Sequence, residues 1–214
     1  MSVNQRLMIA LPKGRLYERA LELFGRAGIR FTDTGNDSRK LVLVDERGKY
    51  EFVPLKPVDI PVYVESGAID AGIVGTDVLR ESAADVYEPV DLKIGICKMV
   101  LAGPAGEKFG VDRTIRVATK YPRTTENYFR NRHVHVHIVR LDGSVEIAPL
   151  LGLADAIVDL VETGRTLKEN GMAVIEEIAP ISAKLIVNRT AMKMKANAAN
   201  ELITALDAVV YENS

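Results

Sequence analysis

The chain has 214 residues, 47% of them hydrophobic and 27% charged, with a formal net charge of -1. That is the composition of an ordinary globular protein with a real core, and the near-neutral balance excludes a broad basic field for nucleic acid, so anionic substrates have to be met by local cation clusters. Cys97 is the single cysteine, which excludes an internal disulfide framework and fits a reducing, cytoplasmic compartment; no apolar run approaches the roughly 20 residues that span a bilayer, and the short apolar run ending at Pro12 does not make a signal peptide.

In chain order, Leu7 to Leu11 is a short apolar run closed by Pro12 and predicts a buried strand. Leu16, Ala20, Leu23, Phe24 and Ala27 follow at helical spacing, with Gly28 as a natural stop. Leu41 to Val44 and Tyr50 to Leu55 flank Glu46-Arg47-Gly48 and predict a hairpin. Asp59 to Glu65 reads as a helix with Pro61 in its first turn, and Asp70 to Gly75 as a second buried strand. Asp77 is a candidate cap for the helix after it.

A different segment begins near Lys93. Ile94 to Ala102 predicts a long strand, and Gly103-Pro104-Ala105-Gly106 a loop. Ile115 to Thr119 is a strand, Pro122 to Arg132 a helix, His135 to Leu141 a strand, and Val145 to Leu151 a short helix. Ala154 to Val161 is apolar except for Asp155 and Asp159. Leu185 to Asn188 reads as the last strand, and Ala199, Leu202, Ile203, Leu206, Val209 and Val210 form a closing amphipathic helix. This alternation predicts an α/β protein with largely parallel strands, arranged as two lobes: residues 1-92 with 183-214, and residues 93-182.

The sharpest chemical signal runs from Ile157 to Leu167. A buried strand delivers Asp159, then comes the tight turn Thr163-Gly164-Arg165-Thr166 and a helix start. Backbone N–H groups exposed there favour a phosphate monoester. Gly164 permits close approach or positive φ, and the two threonines add hydroxyl donors. Asp159 stands ahead of the turn, placed to accept hydrogen bonds from ribose hydroxyls. The alternative is a plain strand-to-helix turn capped by Thr163 or Thr166.

A second signal is Lys13-Gly14-Arg15, two cations flanking a glycine between a strand and a helix. It suits a pyrophosphate or triphosphate, with Lys13 as a point charge and Arg15 as a fork; its spacing is not that of a Walker loop. The alternative is a solvated basic pair at a turn. In Asp142-Gly143-Ser144-Val145-Glu146, Ser144 reads as an N-cap and Glu146 as a first-turn acid, so a structural role is favoured unless Glu146 faces a cleft. His133, His135 and His137 alternate; a solvent-facing strand edge is favoured over a metal site. Cys97 reads as a small buried hydrophobe.

Taken in order and spacing, these segments, with Asp59 to Glu65, Asp70 to Asp77, Val117 to Pro122 and Gly143 to Asp155, make the chain resemble the short form of ATP phosphoribosyltransferase over nearly its whole length. The resemblance implies two lobes like those of type II periplasmic binding proteins, with the active site in the cleft. It implies transfer of a phosphoribosyl group from phosphoribosyl pyrophosphate to N1 of ATP, the entry step of histidine biosynthesis, with Mg²⁺ as cofactor. It places the 5-phosphate on Thr163, Gly164, Arg165 and Thr166, and the ribose near Asp159. Asp77 and Glu146 join the substrate-binding set, and Lys13, Gly14 and Arg15 match the segment near the triphosphate and pyrophosphate. Arg39 matches a basic position near the cleft. Lys56 stands where many members carry arginine, and a lysine lacks the bidentate fork. The resemblance also implies a homodimer within a hetero-oligomer, whose regulatory subunit resembles a histidyl-tRNA synthetase core, and no nucleic-acid or membrane partner.

Overall fold

The computed structural model describes residues 6-31, 42-106 and 114-212. The chain forms two compact units, one from residues up to Gly95 and from Ser182 onward, the other from Ile96 to Ile181.

The first unit is a six-stranded mixed sheet in the order β2-β3-β1-β4-β11-β5. Its strands are β1 (Leu7–Pro12), β2 (Leu43–Val44), β3 (Tyr50–Leu55), β4 (Ala71–Gly75), β5 (Tyr87–Asp91) and β11 (Ala183–Val187). β1 runs parallel to both β3 and β4, whereas β11 is antiparallel to β4. The central strands are apolar on both faces because both are covered, as parallel strands require. Leu7, Ile9, Leu11, Ala71 and Ile73 pack on one side with Ala20, Leu23 and Phe24 of α1 (Arg15–Arg26) and with Leu202, Leu206 and Val209 of α8 (Ala196–Tyr211). Phe24, Phe31 and Phe52 meet there edge to face, with centroids 4.5 to 6.3 Å apart. On the other side Ala10, Val74 and Ile186 meet Ile60 and Val64 of α2 (Ile60–Glu65) and Leu79 of α3 (Thr76–Ser82).

The second unit is a five-stranded sheet in the order β10-β6-β9-β7-β8. Its strands are β6 (Cys97–Pro104), β7 (Ile115–Thr119), β8 (Val136–Arg140), β9 (Ala156–Val161) and β10 (Met172–Ile181). β7 is parallel to β8 and β9, while β6 is antiparallel to β9 and β10. Tyr128 and Phe129 of α4 (Pro122–Arg130) cover one face, against Met99, Val117 and Val158. Ala148 of α5 (Ile147–Leu150) and Leu167 of α6 (Arg165–Glu169) cover the other, against Val100, Ala118 and Ile157. The chain leaves the first unit once and returns once, then adds β11, α7 (Arg189–Met194) and α8.

Several expectations shift. The helix after β4 starts at Thr76 with Gly75 in the cap position, so Asp77 sits inside the first turn and does not cap it. Its start is tied down instead by Thr76, whose Oγ1 accepts the Ser182 N–H at 3.2 Å. Ser144 does not cap α5 either: that helix opens at Ile147 with Glu146 in the cap position, and Ser144 adopts φ 47. Gly103 and Pro104 belong to β6, because Met172 and Ala173 extend the pairing to them. His133 lies beyond α4 at φ 57, off the strand, and His133, His135 and His137 are all exposed. Leu41, expected to open a strand, lies outside the described residues.

Candidate active site

Parallel strands concentrate ligand sites at their carboxyl ends, where the following loops and helix starts gather. In the first unit the ends of β1, β3 and β4 deliver Lys13, Lys56 and Asp77 to one edge of the sheet. Pro12 pairs with Leu55, so Lys13 and Lys56 follow neighbouring strand ends. Gly14 joins β1 to α1 at φ 93 and ψ -149, a conformation essentially confined to glycine, and offers no capping side chain. Lys13, Gly14, Arg15 and Lys56 are all exposed. Asp77 is buried, and a Cβ placed on Gly75 would fall 2.2 Å from its Oδ1, so the carboxylate folds back over the strand end. Arg39 lies outside the described residues.

In the second unit the ends of β7, β8 and β9 deliver three loops to one edge: Lys120 and Tyr121, residues 141-146 with Glu146, and residues 162-164. Asp159 shares a face of β9 with Ile157 and Val161, the face covered by α5 and α6. Its Oδ1 is buried and has no hydrogen-bond partner among the described residues. Lys120 Nζ lies 3.5 Å from that oxygen. A buried carboxylate oxygen lacking a donor is costly and marks a place where a ligand donor would be stabilised.

Three residues past Val161, Gly164 takes a left-handed conformation, φ 73 and ψ 5, immediately before α6. The Arg165 N–H reaches Thr163 Oγ1 at 3.5 Å, and the Lys168 N–H closes the turn onto the Gly164 carbonyl at 3.1 Å. Because α6 has only five residues, its dipole adds little; the turn's N–H groups and hydroxyls are what it can offer an anion. The Arg165 guanidinium pairs with Glu169 at 2.9 Å and is 84% exposed, so the residue brings its backbone, not its fork, to the turn.

Lys120 was missed by sequence reasoning. A lysine between a strand and Tyr121-Pro122 carries no signal by itself; only the parallel pairing of β7 with β9 sets it beside Asp159. Among the described residues no three His, Cys, Asp or Glu side chains gather into a possible metal cage, and no helix is long and apolar enough to cross a membrane.

Comparison with known proteins bears on this arrangement. The family model described as HisG: ATP phosphoribosyltransferase matches residues 56–208. An ATP phosphoribosyltransferase of a Thermoanaerobacter species is 50% identical over 206 residues, covering 96% of this chain and 97% of that protein. One from Acidithiobacillus ferrooxidans is 48% identical over 211 residues, covering 95% and 97%. The solved ATP phosphoribosyl transferase (HisG:HisZ) complex from Thermotoga maritima superposes with a TM-score of 0.85 at 34% identity, covering 96% of this chain and 99% of the other. The BvgS VFT2 domain of Bordetella pertussis, 15% identical with a TM-score of 0.58 over 97% of this chain and 88% of its own, shares the fold alone. The two-unit α/β architecture is therefore that of periplasmic-binding-protein-like domains. With a family model covering most of its length and relatives half identical end to end, the chain belongs to the ATP phosphoribosyltransferase family.

Proposed function

We propose that the chain transfers the phosphoribosyl group of phosphoribosyl pyrophosphate to N1 of ATP and releases pyrophosphate, the first step of histidine biosynthesis. The observation that carries this reading, within that family, is the pairing of Asp159, whose buried oxygen lacks a donor, with the Thr163 to Thr166 turn on the same strand-to-helix connection. A ribose 5-phosphate needs that pair: acceptors for its hydroxyls and N–H donors for its phosphate.

In the reaction, the lone pair of adenine N1 forms a bond to C1 of the ribose as the bond from C1 to the pyrophosphate oxygen breaks, and pyrophosphate leaves with the electron pair. N1 carries no proton to remove, so no general base is required. The barrier falls through positioning of two polyanions and through stabilisation of charge on the leaving group. Thr163, Gly164, Arg165 and Thr166 hold the 5-phosphate, chiefly through the backbone. Asp159 orients the sugar, and Glu146, after β8 on the far side of β7, lies on the same edge of the sheet. Lys13, Gly14, Arg15, Lys56 and Arg39 meet the pyrophosphate and triphosphate, and Asp77 shares the sheet edge with Lys13 and Lys56.

A Mg²⁺ ion would be carried by the substrates, because Mg²⁺ commonly keeps its waters and binds substrate phosphates with one or two carboxylates. Bound to the diphosphate oxygens, it would offset their charge. The Thermotoga relative's complex with HisZ supports a separate regulatory partner for this chain, resembling a histidyl-tRNA synthetase core and bound to a homodimer in the cytoplasm.

The test mixes ATP, phosphoribosyl pyrophosphate and Mg²⁺ and follows the absorbance of the adduct together with pyrophosphate release, with and without a candidate partner. Equal amounts of adduct and pyrophosphate are expected. Pyrophosphate release with a free purine base but not with ATP would overturn the reading.

A further inference from the structure

We propose that Lys120 is a positioning residue that aims Asp159 at the sugar hydroxyls of the phosphoribosyl donor, and that the pair makes this site discriminate ribosyl from deoxyribosyl phosphates. The inference rests on the proposed phosphoribosyl site and assigns a residue to its sugar selectivity.

The geometry of the loop after β7 points to it. Thr119 is fully buried; its Oγ1 donates to the Val158 carbonyl at 2.7 Å and accepts the Tyr121 N–H at 2.9 Å. Thr119 thus fastens both sides of Lys120 to β9 one residue before Asp159. The Lys120 ammonium lies 5.1 Å from the centroid of the buried Tyr121 ring and 3.5 Å from Asp159 Oδ1. Ring face and carboxylate both attract a cation, so the ammonium is held between them. The contact is a charge contact, because Oδ1 takes no hydrogen bond from any described group. Oδ1 itself is closed to solvent, so Lys120 holds the carboxylate by its inner oxygen, and the exposed remainder of the Asp159 side chain is what can accept from the vicinal hydroxyls of a ribose.

Lys120 has a second effect. The donor brings several negative charges toward Asp159, itself an anion in a partly dry site, and a fixed cation offsets that repulsion without occupying the acceptor. The Lys120 and Asp159 side chains are 40% and 25% exposed, so both can be reached from solvent. Were Lys120 instead a direct phosphate ligand, its loss would weaken all sugar phosphates alike. A positioning role acts through Asp159 and is felt only where there is a hydroxyl to read.

The experiment measures, by calorimetry on the full chain, affinities for ribose 5-phosphate and 2-deoxyribose 5-phosphate in wild type, Lys120→Met, Lys120→Arg, Asp159→Asn and the Lys120→Met, Asp159→Asn double variant, with melting curves to verify folding. Wild type is expected to prefer the ribosyl compound by about tenfold, the size of one lost charge-assisted hydrogen bond. Lys120→Met should bring the two within about twofold by losing affinity for the ribosyl compound, and adding Asp159→Asn should cost little more, since coupled residues are not additive. Lys120→Arg, which keeps the charge, should keep the preference. Equal loss of both compounds in Lys120→Met, or a preference it leaves intact, overturns the positioning role while the phosphoribosyl reading stands. A wild type that binds both equally does the same; one that binds neither overturns both.

Discussion

Lys13 donates its backbone N–H to the carbonyl oxygen of Leu55 at 2.8 Å. That bond prolongs the parallel pairing of β1 and β3 by one residue and sends Lys13 and Lys56 off the same edge of the sheet. Neighbouring cations at strand ends repel each other in the empty protein and are stabilised together when a polyanion arrives, which is the arrangement a diphosphate needs.

Lys56, exposed at the end of β3, is proposed to supply a point charge to the diphosphate. Lys56→Ala should lower kcat/KM by about tenfold or more, as loss of one electrostatic donor to a developing charge does. Lys56→Arg should hold kcat/KM within about threefold of wild type, because it keeps the charge and adds bidentate geometry. Steady-state kinetics with ATP and phosphoribosyl pyrophosphate tests both variants.

Arg15 opens α1 and is exposed, so its truncation should spare the fold. Arg15→Ala is expected to cut turnover by about a hundredfold, the usual cost of removing a leaving-group or oxyanion donor, with an unchanged melting temperature. Near-normal turnover would remove Arg15 from the catalytic set.

Gly164 is constrained by conformation more than by space. A Cβ there would find only Val161 Cγ1, at 3.7 Å, but φ is 73. A β-branched side chain at positive φ costs about 1–3 kcal/mol, which the turn would relieve by reshaping its N–H donors. Gly164→Val should therefore abolish measurable binding of phosphoribosyl pyrophosphate, whereas Gly164→Asn, tolerant of left-handed backbone, should retain much of it. Calorimetry with both variants separates conformation from bulk.

Asp70 Oδ2 accepts from the Met8 N–H at 2.8 Å and from Lys195 Nζ at 2.7 Å, and the same ammonium reaches the Arg6 carbonyl at 3.0 Å. This fastens the junction of α7 and α8 to the start of β1, away from the proposed site. Lys195→Met leaves a mostly buried carboxylate with one donor and should destabilise by about 1–3 kcal/mol. Urea unfolding should show a lower midpoint at unchanged slope, with kcat unaffected.

Burial, with Glu201 and Asp45 nearby, pushes the Tyr50 hydroxyl up to about 12 from its ordinary 10.0. The neutral form is favoured in the fold, so its contribution is fully present below pH 10 and is lost as pH rises toward 12. Thermal melts between pH 9 and 11.5 should show Tyr50→Phe losing less stability with pH than wild type does.

What the sequence made legible was set by how evenly each segment is buried. β1 is an unbroken apolar run, β9 is apolar but for Asp159, β7 buries Ile115, Val117 and Ala118, and α8 buries Ala199, Leu202, Leu206 and Val209 at helical spacing. β10 escaped notice because it is an edge strand whose register shifts twice, between Val174 and Glu176 and between Glu177 and Ala179, which breaks the alternation. β5, Tyr87–Asp91, is the other sheet's edge; it contains Pro89 and buries only Val90. At the site, the Lys13 to Arg15 and Thr163 to Thr166 turns were visible because glycine between a strand and a helix is a local signal. Lys120 was not, since its meeting with Asp159 depends on strand pairing between residues far apart in the chain.

A crystal structure of the chain with phosphoribosyl pyrophosphate measures directly which atoms hold the donor. The expected result has the 5-phosphate within hydrogen-bond distance of backbone nitrogens in the 163-167 turn, the ribose hydroxyls on Asp159, and the diphosphate facing Lys13 and Arg15. A 5-phosphate bound elsewhere, with the 163-167 turn unoccupied, would contradict it.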